Sequence, residues 1–317
     1  MAAALALSER GRGRTAPNPN VGCVIVANGR VVGRGWTRPG GRPHAEAVAL
    51  AEAGGQARGA TVYVTLEPCA HVSARGPACA DLLVAAGPAR VAVAIEDPDS
   101  RTAGAGIARL RAAGIVVSVG LRAEEARQAM AGFLTRRALG RPLVTLKLAT
   151  SLDGQIALAS GESRWITGPE ARAHVHLERS RHEAILVGRG TWESDRPKLD
   201  VRLAGLEARS PARIILSRRG NDVVGVGVAD SPEEIGTLPN VDHLFVEGGA
   251  ETAASFLRAD LVDRLLLYRA PILIGAGKAA LGDIGLTDLA AVHGRWRLHD
   301  ARMLGRDRLE VYERARS

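Results

Sequence analysis

Cysteine is scarce in this chain of 317 residues: Cys23, Cys69 and Cys79 make an odd count with no framework spacing. That count argues against a disulfide scaffold and for a reducing compartment, so the expected location is the cytoplasm and each cysteine needs its own explanation. A secretory signal is missing too, because "MAAALALSERGRGR" puts its basic residues after the apolar run; the stretch predicts a first helix instead. No apolar run reaches the roughly 18 residues of a membrane helix. "VGCVIVA" is too short and "RLLLYRAPILIG" is broken by charge, so no membrane partner is expected. Lysine is nearly absent: only Lys147, Lys198 and Lys278 among 42 basic residues, the rest being arginines scattered through a chain of net charge +8. Dispersed charge reads as compositional bias rather than a nucleic-acid stripe, which leaves anionic small substrates compatible and no nucleic-acid partner expected. Internal repeats and low-complexity runs are lacking as well.

What is present is enough chain for two domains, with an ordinary 46% of hydrophobic and 24% of charged residues. The first half alternates strand and helix signals. "VGCVIVA" and "RVVGRGW" flank Asn28-Gly29, a two-residue hairpin signal. A helix is predicted over 44–53, a strand over 61–66, a helix over 78–86, a strand over 90–96, and helices near 104–113 and 123–138 on either side of "GIVVSVG". This is an α/β layer architecture. Gly140-Arg141-Pro142 ends the last helix, so the domains are placed at 1–141 and 142–317. The second half mixes strands ("EAILVG", "ARIILS", "HLFVEGG", "RLLLYRAPILIG") with helices at 169–180 and 249–258, and is least regular over 203–240.

Cys69 and Cys79, with nine residues between them, could be a disulfide, two core thiols or half of a metal site. His44-Ala45-Glu46 opens a helix upstream and Pro68-Cys69 opens the loop that leads to Cys79. Zinc deaminases carry an H-x-E motif followed by P-C and a second Cys, with the Glu off the metal as proton shuttle. The ligand set would be His44, Cys69 and Cys79, and Glu46 the shuttle. Two thiolates and one imidazole suit zinc, and three protein ligands leave the open fourth position of a catalytic site. His71 is an alternative fourth ligand that would make the site structural; its C-x-H spacing is tight, and it reads better as a pocket residue. Cys23, in the alternating strand "GCVIV", reads as a core thiol.

The second half is poorer in signals. Gly104-Ala105-Gly106 lacks the third glycine of a dinucleotide turn, and "GAGKAALG" lacks both the hydroxyl and the leading glycine of a P-loop. "HLFVEGGAETAASFL" runs from a strand through Glu247-Gly248-Gly249 into a helix, where a phosphate could meet free N–H groups; an ordinary strand-turn-helix reads the same way.

Taken together, "PNPNVGCVIV", "HAE", "TLEPCAH", "LKLATSLDGQIALASGESRWIT" and "VEGG" closely resemble the bifunctional deaminase–reductase family of riboflavin biosynthesis, over nearly the whole chain. The resemblance implies a cytidine-deaminase-like three-layer N-terminal domain and a dihydrofolate-reductase-like C-terminal domain. It implies zinc-dependent hydrolysis of an amino group from a diaminopyrimidinone ribosyl phosphate, then NADPH reduction of the ribosyl group to ribityl, in a homo-oligomer. By family match His44, Cys69 and Cys79 bind zinc, Glu46 moves protons, and Asn18 contacts the pyrimidine. Lys147, Ser163, Arg179, Leu199, Arg202 and Glu247 fall where the family binds the ribosyl phosphate. Ala149, Trp165, Thr167, Thr191, Asp195, Ser217 and the run Gly248, Gly249, Ala250, Glu251, Thr252, Ala253, Ala254 and Ser255 fall where it binds the cofactor. Three departures stand out: one residue more than usual between Cys69 and Cys79, Thr37 where the family commonly has histidine, and a shortened stretch between Arg202 and Glu247. Two rival readings remain: a nucleoside or tRNA-base deaminase whose second half only binds, and a nucleic-acid-binding protein with a structural zinc.

Overall fold

The computed structural model describes residues 1–71, 75–219 and 225–316. It divides into two compact units, Met1–Gly140 and Arg141–Ser317. None of the described helices is long and apolar enough to cross a membrane.

The first unit runs α1 (Ala2–Ser8), β1 (Gly22–Ala27), β2 (Arg30–Trp36), α2 (Ala45–Ala53), β3 (Thr61–Leu66), α3 (Cys79–Ala86), β4 (Arg90–Ile95), α4 (Ala105–Ala112), β5 (Val116–Val119), α5 (Ala123–Ala129) and α6 (Ala131–Leu139). The strands form one sheet in the order β2-β1-β3-β4-β5, with β3, β4 and β5 parallel and the β1–β2 hairpin antiparallel. The hairpin turns at Asn28 and Gly29, whose φ values of 49° and 73° are the pair of positive angles that a tight turn of matching twist requires.

Strand β1 does not alternate. Gly22 through Ile25 are all buried, because the strand is covered on both faces. A Cβ on Gly22 would lie 1.8 Å from the Ala4 carbonyl of α1. On the other face, Cβ atoms on Gly33 and Gly35 would lie 2.2 and 2.0 Å from the Ala49 and Ala45 carbonyls of α2. These glycines let α2 settle directly on the hairpin, which sets the height of the residues at its start. Cys23 is wholly buried under α2 as a free thiol. The single helix expected over 123–138 is two helices that meet at Met130, whose side chain is fully buried in the core.

The second unit contains β6 (Leu143–Thr150), β7 (Gln155–Leu158), α7 (Pro169–Arg179), β8 (Ala184–Gly188), α8 (Arg189–Asp195), β9 (Ala212–Leu216), β10 (Gly227–Ala229), β11 (His243–Val246), α9 (Ala250–Arg258), β12 (Arg264–Arg269), β13 (Gly277–Ala279), β14 (Trp296–Leu304) and β15 (Asp307–Arg314). Eight strands form a sheet in the order β10-β9-β8-β11-β6-β12-β15-β14; the first six are parallel, and β15 and β14 add antiparallel at one edge. β8 and β11 are buried along their whole length, as strands covered on both faces must be. Phe256 of α9 packs with Leu146 and Val246 on one face, and Val175 of α7 with Phe245 and Tyr268 on the other. The strand expected through "RLLLYRAPILIG" stops at Arg269, since Pro271 has no N–H for the ladder. The β14–β15 hairpin and α8 were not anticipated.

Candidate zinc and substrate sites

In the first unit three side chains from three elements converge. His44 caps α2 in an extended conformation (φ −70°, ψ 161°), Cys69 lies on the loop after β3, and Cys79 is the first residue of α3. His44 Nδ1 is 3.6 Å from Cys69 Sγ and 3.4 Å from Cys79 Sγ, and the Cys79 amide donates to Cys69 Sγ at 3.3 Å. The three ligand atoms lie within 4.8 Å of one another. One imidazole nitrogen and two sulfurs at this separation fit a zinc ion. His71 is not in the group; its Nδ1 faces Thr102 Oγ1 at 3.4 Å, so among the described residues no fourth protein ligand closes the site. Residues 72–74, within the stretch that carries the extra residue, lie outside the described residues.

Glu46 is buried beside the ligands, two residues along α2 from His44. Burial pushes its carboxyl up to about 7, with the Cys69 sulfur adding to the effect and His44 opposing it. The hydrogen bond from Cys79 pulls the Cys69 thiol down to about 4, and Cys79, the donor in that bond, is held up. Asn18 reaches the same place: its Nδ2 donates to the Gly41 carbonyl at 2.8 Å and lies 3.2 Å from His44 Nε2. Thr37 is buried and its Oγ1 accepts the Val21 N–H at 3.0 Å, so its hydroxyl ties down the chain entering β1.

Glu67 was not singled out from the sequence, yet it anchors the metal loop. Its buried carboxylate accepts N–H groups from Gly104 (2.9 Å), Ile107 (3.1 Å) and Asp97 (3.2 Å), which fastens the end of β3 to the start of α4. Gly106 completes the fit, because a Cβ there would lie 2.0 Å from the Pro68 carbonyl. The signal was the acidic residue directly before Pro68-Cys69, legible only once α4 is known to begin against it.

In the second unit the polar centre is Glu247, just beyond β11. Its carboxylate accepts Arg179 Nε at 2.6 Å and Nη2 at 3.1 Å, with Lys147 Nζ at 3.6 Å. Burial alone would raise Glu247, but the guanidinium of Arg179 and the ammonium of Lys147 pull it down to about 2. Arg179 Nη1 also donates to the Asp200 carbonyl at 2.9 Å. That bond brings in the segment holding Leu199, buried at φ +55°, and Arg202, whose guanidinium is exposed and 3.3 Å from Asp200 Oδ1. Four of the substrate candidates, Lys147, Arg179, Glu247 and Arg202, thus share one network, with Leu199 between them. Ser163 stands apart on the exposed segment before α7.

Ala149, Ser217 and the run from Gly248 lie at the carboxyl ends of parallel strands, where ligands of open α/β sheets sit. β8 runs into Gly188 and α8, β9 into Ser217, and β11 into Gly248 and Gly249 at the start of α9. A Cβ on Gly188 would lie 2.1 Å from Thr252 Oγ1, one on Gly248 2.4 Å from Thr252 Cβ, and one on Gly249 3.7 Å from Thr191 Oγ1. Ser217 is held by Arg189 at 2.8 Å. Ala253 and Ala254 are wholly buried and Ser255 Oγ donates to the Thr252 carbonyl, so of this run the backbone N–H groups of Ala250, Glu251 and Thr252 at the helix start are best placed for an anion. Ala149 lies on β6, two residues beyond Lys147, opposite Tyr268. Trp165 is 64% exposed with the Arg172 guanidinium 4.7 Å from its ring centre; Thr167 is buried, its carbonyl bonded by Arg172. Asp195 ends α8 and accepts Ser194 Oγ at 3.1 Å.

This pairing of a three-ligand N/S site with an open, largely parallel sheet is the combination that known proteins carry in one chain. Residues 1–95 match the cytidine and deoxycytidylate deaminase zinc-binding region, and residues 142–309 match the RibD C-terminal domain. The first unit therefore has a cytidine-deaminase-like fold and the second the dihydrofolate-reductase-like fold of that domain. The chain is 42% identical to the riboflavin biosynthesis protein RibD of Escherichia coli over 92% of each chain, and 38% identical to that of Aquifex aeolicus over 91% of this chain and 90% of the other. Among solved structures it superposes on Acinetobacter baumannii RibD with a TM-score of 0.87 (36% identity, 99% of this chain, 97% of the other). On a Thermotoga maritima diaminohydroxyphosphoribosylaminopyrimidine deaminase/5-amino-6-(5-phosphoribosylamino)uracil reductase it superposes with a TM-score of 0.88 (32% identity, 98% and 97%). The chain belongs to the RibD family of riboflavin biosynthesis proteins.

Proposed function

We propose that residues 1–141 deaminate a 2,5-diamino-6-(ribosylamino)pyrimidinone 5′-phosphate and that residues 142–317 then reduce its ribosyl group to ribityl with NADPH. The observation that carries the first step is the convergence of His44, Cys69 and Cys79 beside a buried carboxyl, Glu46, poised near neutrality. Zinc held by the three ligands would supply a Lewis acid that makes water a nucleophile at neutral pH. Glu46 would carry one proton of the attacking water to the ring nitrogen and the second, from the hydroxyl left on the ring carbon, to the amino group that departs as ammonia; a carboxyl near 7 can do both. Asn18 presents an amide at the same opening, able to read the donor and acceptor edge of a pyrimidine, and His71 shapes the far side.

In the second half NADPH would supply the hydride, and the chain's own residues align the sugar. Lys147 and Glu247 form the polar floor, Arg179 holds Glu247, and Arg202 offers an exposed guanidinium to a phosphate. The carboxyl ends of β8, β9 and β11, with the start of α9, form the cofactor's bed. Many arginines elsewhere are committed to carboxylates, among them Arg141 to Asp263 and Arg269 to Glu310, which supports a small-molecule enzyme over a nucleic-acid binder. The same reading makes the protein a cytoplasmic homo-oligomer with no membrane partner.

The test is to give zinc-replete protein the diaminopyrimidinone ribosyl phosphate with and without NADPH, following ammonia and NADPH absorbance. Ammonia in both arms and NADPH loss in one are expected. No ammonia would sink the deaminase reading; ammonia without NADPH loss would sink the reductase reading alone. Turnover of cytidine instead would favour the base-deaminase alternative.

A further inference from the structure

Each of the three guanidinium nitrogens of Arg179 already has a protein partner: Nε and Nη2 on Glu247, Nη1 on the Asp200 carbonyl. A residue so engaged is better placed to hold the site than to reach for a phosphate. The exposed cation is Arg202, and what fixes Arg202 is the segment 199–202 laid against the end of α7. Two α7 side chains grip that segment at one point. Arg179 donates to the Asp200 carbonyl, and His176, one turn earlier, has Nδ1 3.1 Å from that carbonyl and 3.3 Å from the Arg202 amide. Burial and the nearby Arg179 and Arg202 guanidiniums lower the pKa of His176, which favours the neutral ring. The Arg202 N–H is directed at the ring, and with Nδ1 as its acceptor the remaining ring proton sits on Nε2. Among the described residues Nε2 has no partner.

We propose that His176 is a positioning and specificity residue of the second site: its Nδ1 sets the backbone of Arg202, and its Nε2–H is a further donor for the substrate's phosphate monoester. The inference rests on the reductase reading above and deepens it. A neutral donor beside the exposed Arg202 guanidinium suits a dianion, since it adds a hydrogen bond without adding charge repulsion against Arg179 and Arg202.

The test uses full-length, zinc-replete protein. Calorimetry with ribose 5-phosphate and with ribose, and NADPH oxidation on the deaminated ribosyl phosphate, are compared in wild type, His176→Ala and His176→Asn; ammonia release by the other site reports on intact protein. For His176→Ala, ribose 5-phosphate binding weakens and KM rises about tenfold, with kcat within about twofold. His176→Asn, whose amide can stand in for Nδ1 but not Nε2, recovers part of the loss. Unchanged KM and affinity in His176→Ala overturn the proposal. So does an equal loss for ribose and ribose 5-phosphate, or a fall in kcat alone, either of which marks a merely structural role. A wild type that oxidises no NADPH overturns the reductase reading, while the ribose 5-phosphate comparison still decides the role of His176; a wild type that does not bind that ligand overturns it.

Discussion

The two polar centres of this chain are built on different principles. The first is a short-range assembly: one histidine at a helix start, one cysteine on a loop and one at the next helix start, brought within a single ion's reach. The second is a balance of full charges, a carboxylate shared by Arg179 and Lys147 at the ends of parallel strands. A metal site demands particular atoms and tolerates few substitutes, whereas an ion-pair centre can be assembled from many strand ends. The contrast teaches that removing one atom should silence the first without unfolding it, while removing one charge from the second should loosen the unit that holds it.

The largest expected effect is at the first centre. Glu46→Gln keeps zinc, measured by metal analysis, and lowers deamination by roughly 10²- to 10⁴-fold, while reduction of a supplied deaminated substrate is unchanged. At the second centre Glu247→Gln leaves two cations without their counter-charge and costs about 3–5 kcal/mol of stability, read as a lower denaturation midpoint together with loss of NADPH oxidation. A midpoint equal to wild type would erase the distinction between the two centres.

Acid should act on the second centre in the same direction. The folded pKa of Glu247, about 2, lies below its unfolded value near 4.5, so its contribution is fully present above the unfolded value. It amounts to about 3 kcal/mol and is lost as pH falls from near 4.5 through about 2. Acid unfolding of Glu247→Gln should therefore be shallower over that window. A smaller effect belongs to the loop beneath the metal site: Glu67→Gln should weaken zinc about 10- to 100-fold in chelator competition, because the Pro68-Cys69 loop loses its anchor on α4. Smallest of all, Glu52→Ala removes an exposed ion pair with Arg34 (3.2 Å) and should shift stability by no more than about 0.5 kcal/mol.

Legibility followed the same division. Spacing and residue type sufficed for His44, Glu46, Cys69 and Cys79, since few other roles suit those atoms in that order at helix starts. The hairpin at Asn28-Gly29 was equally plain, its turn needing two positive φ angles. The second centre was visible only through a family resemblance. Lys147, Arg179 and Arg202 look like any basic residues in an arginine-rich chain, and what sets them apart is that β6, α7 and the segment after α8 arrive at Glu247 together. The β14–β15 hairpin escaped notice because β14 is the edge strand and its side chains are mostly exposed, so no clean burial period marks it.

By itself, then, the sequence determined which histidine and cysteines the fold brings together beside a buried carboxyl, and the α/β character of both halves. These follow from local chemistry: donor type, turn conformation and helix termination. The tertiary structure alone decided that Glu67 and Gly106 brace the metal loop against α4, that Cys23 lies under a helix on a strand covered from both sides, and that Arg179 serves Glu247 while His176 meets the backbone of Asp200 and Arg202. Each of these depends on which distant segments meet, and side-chain roles that arise from such meetings leave no period or spacing in the chain.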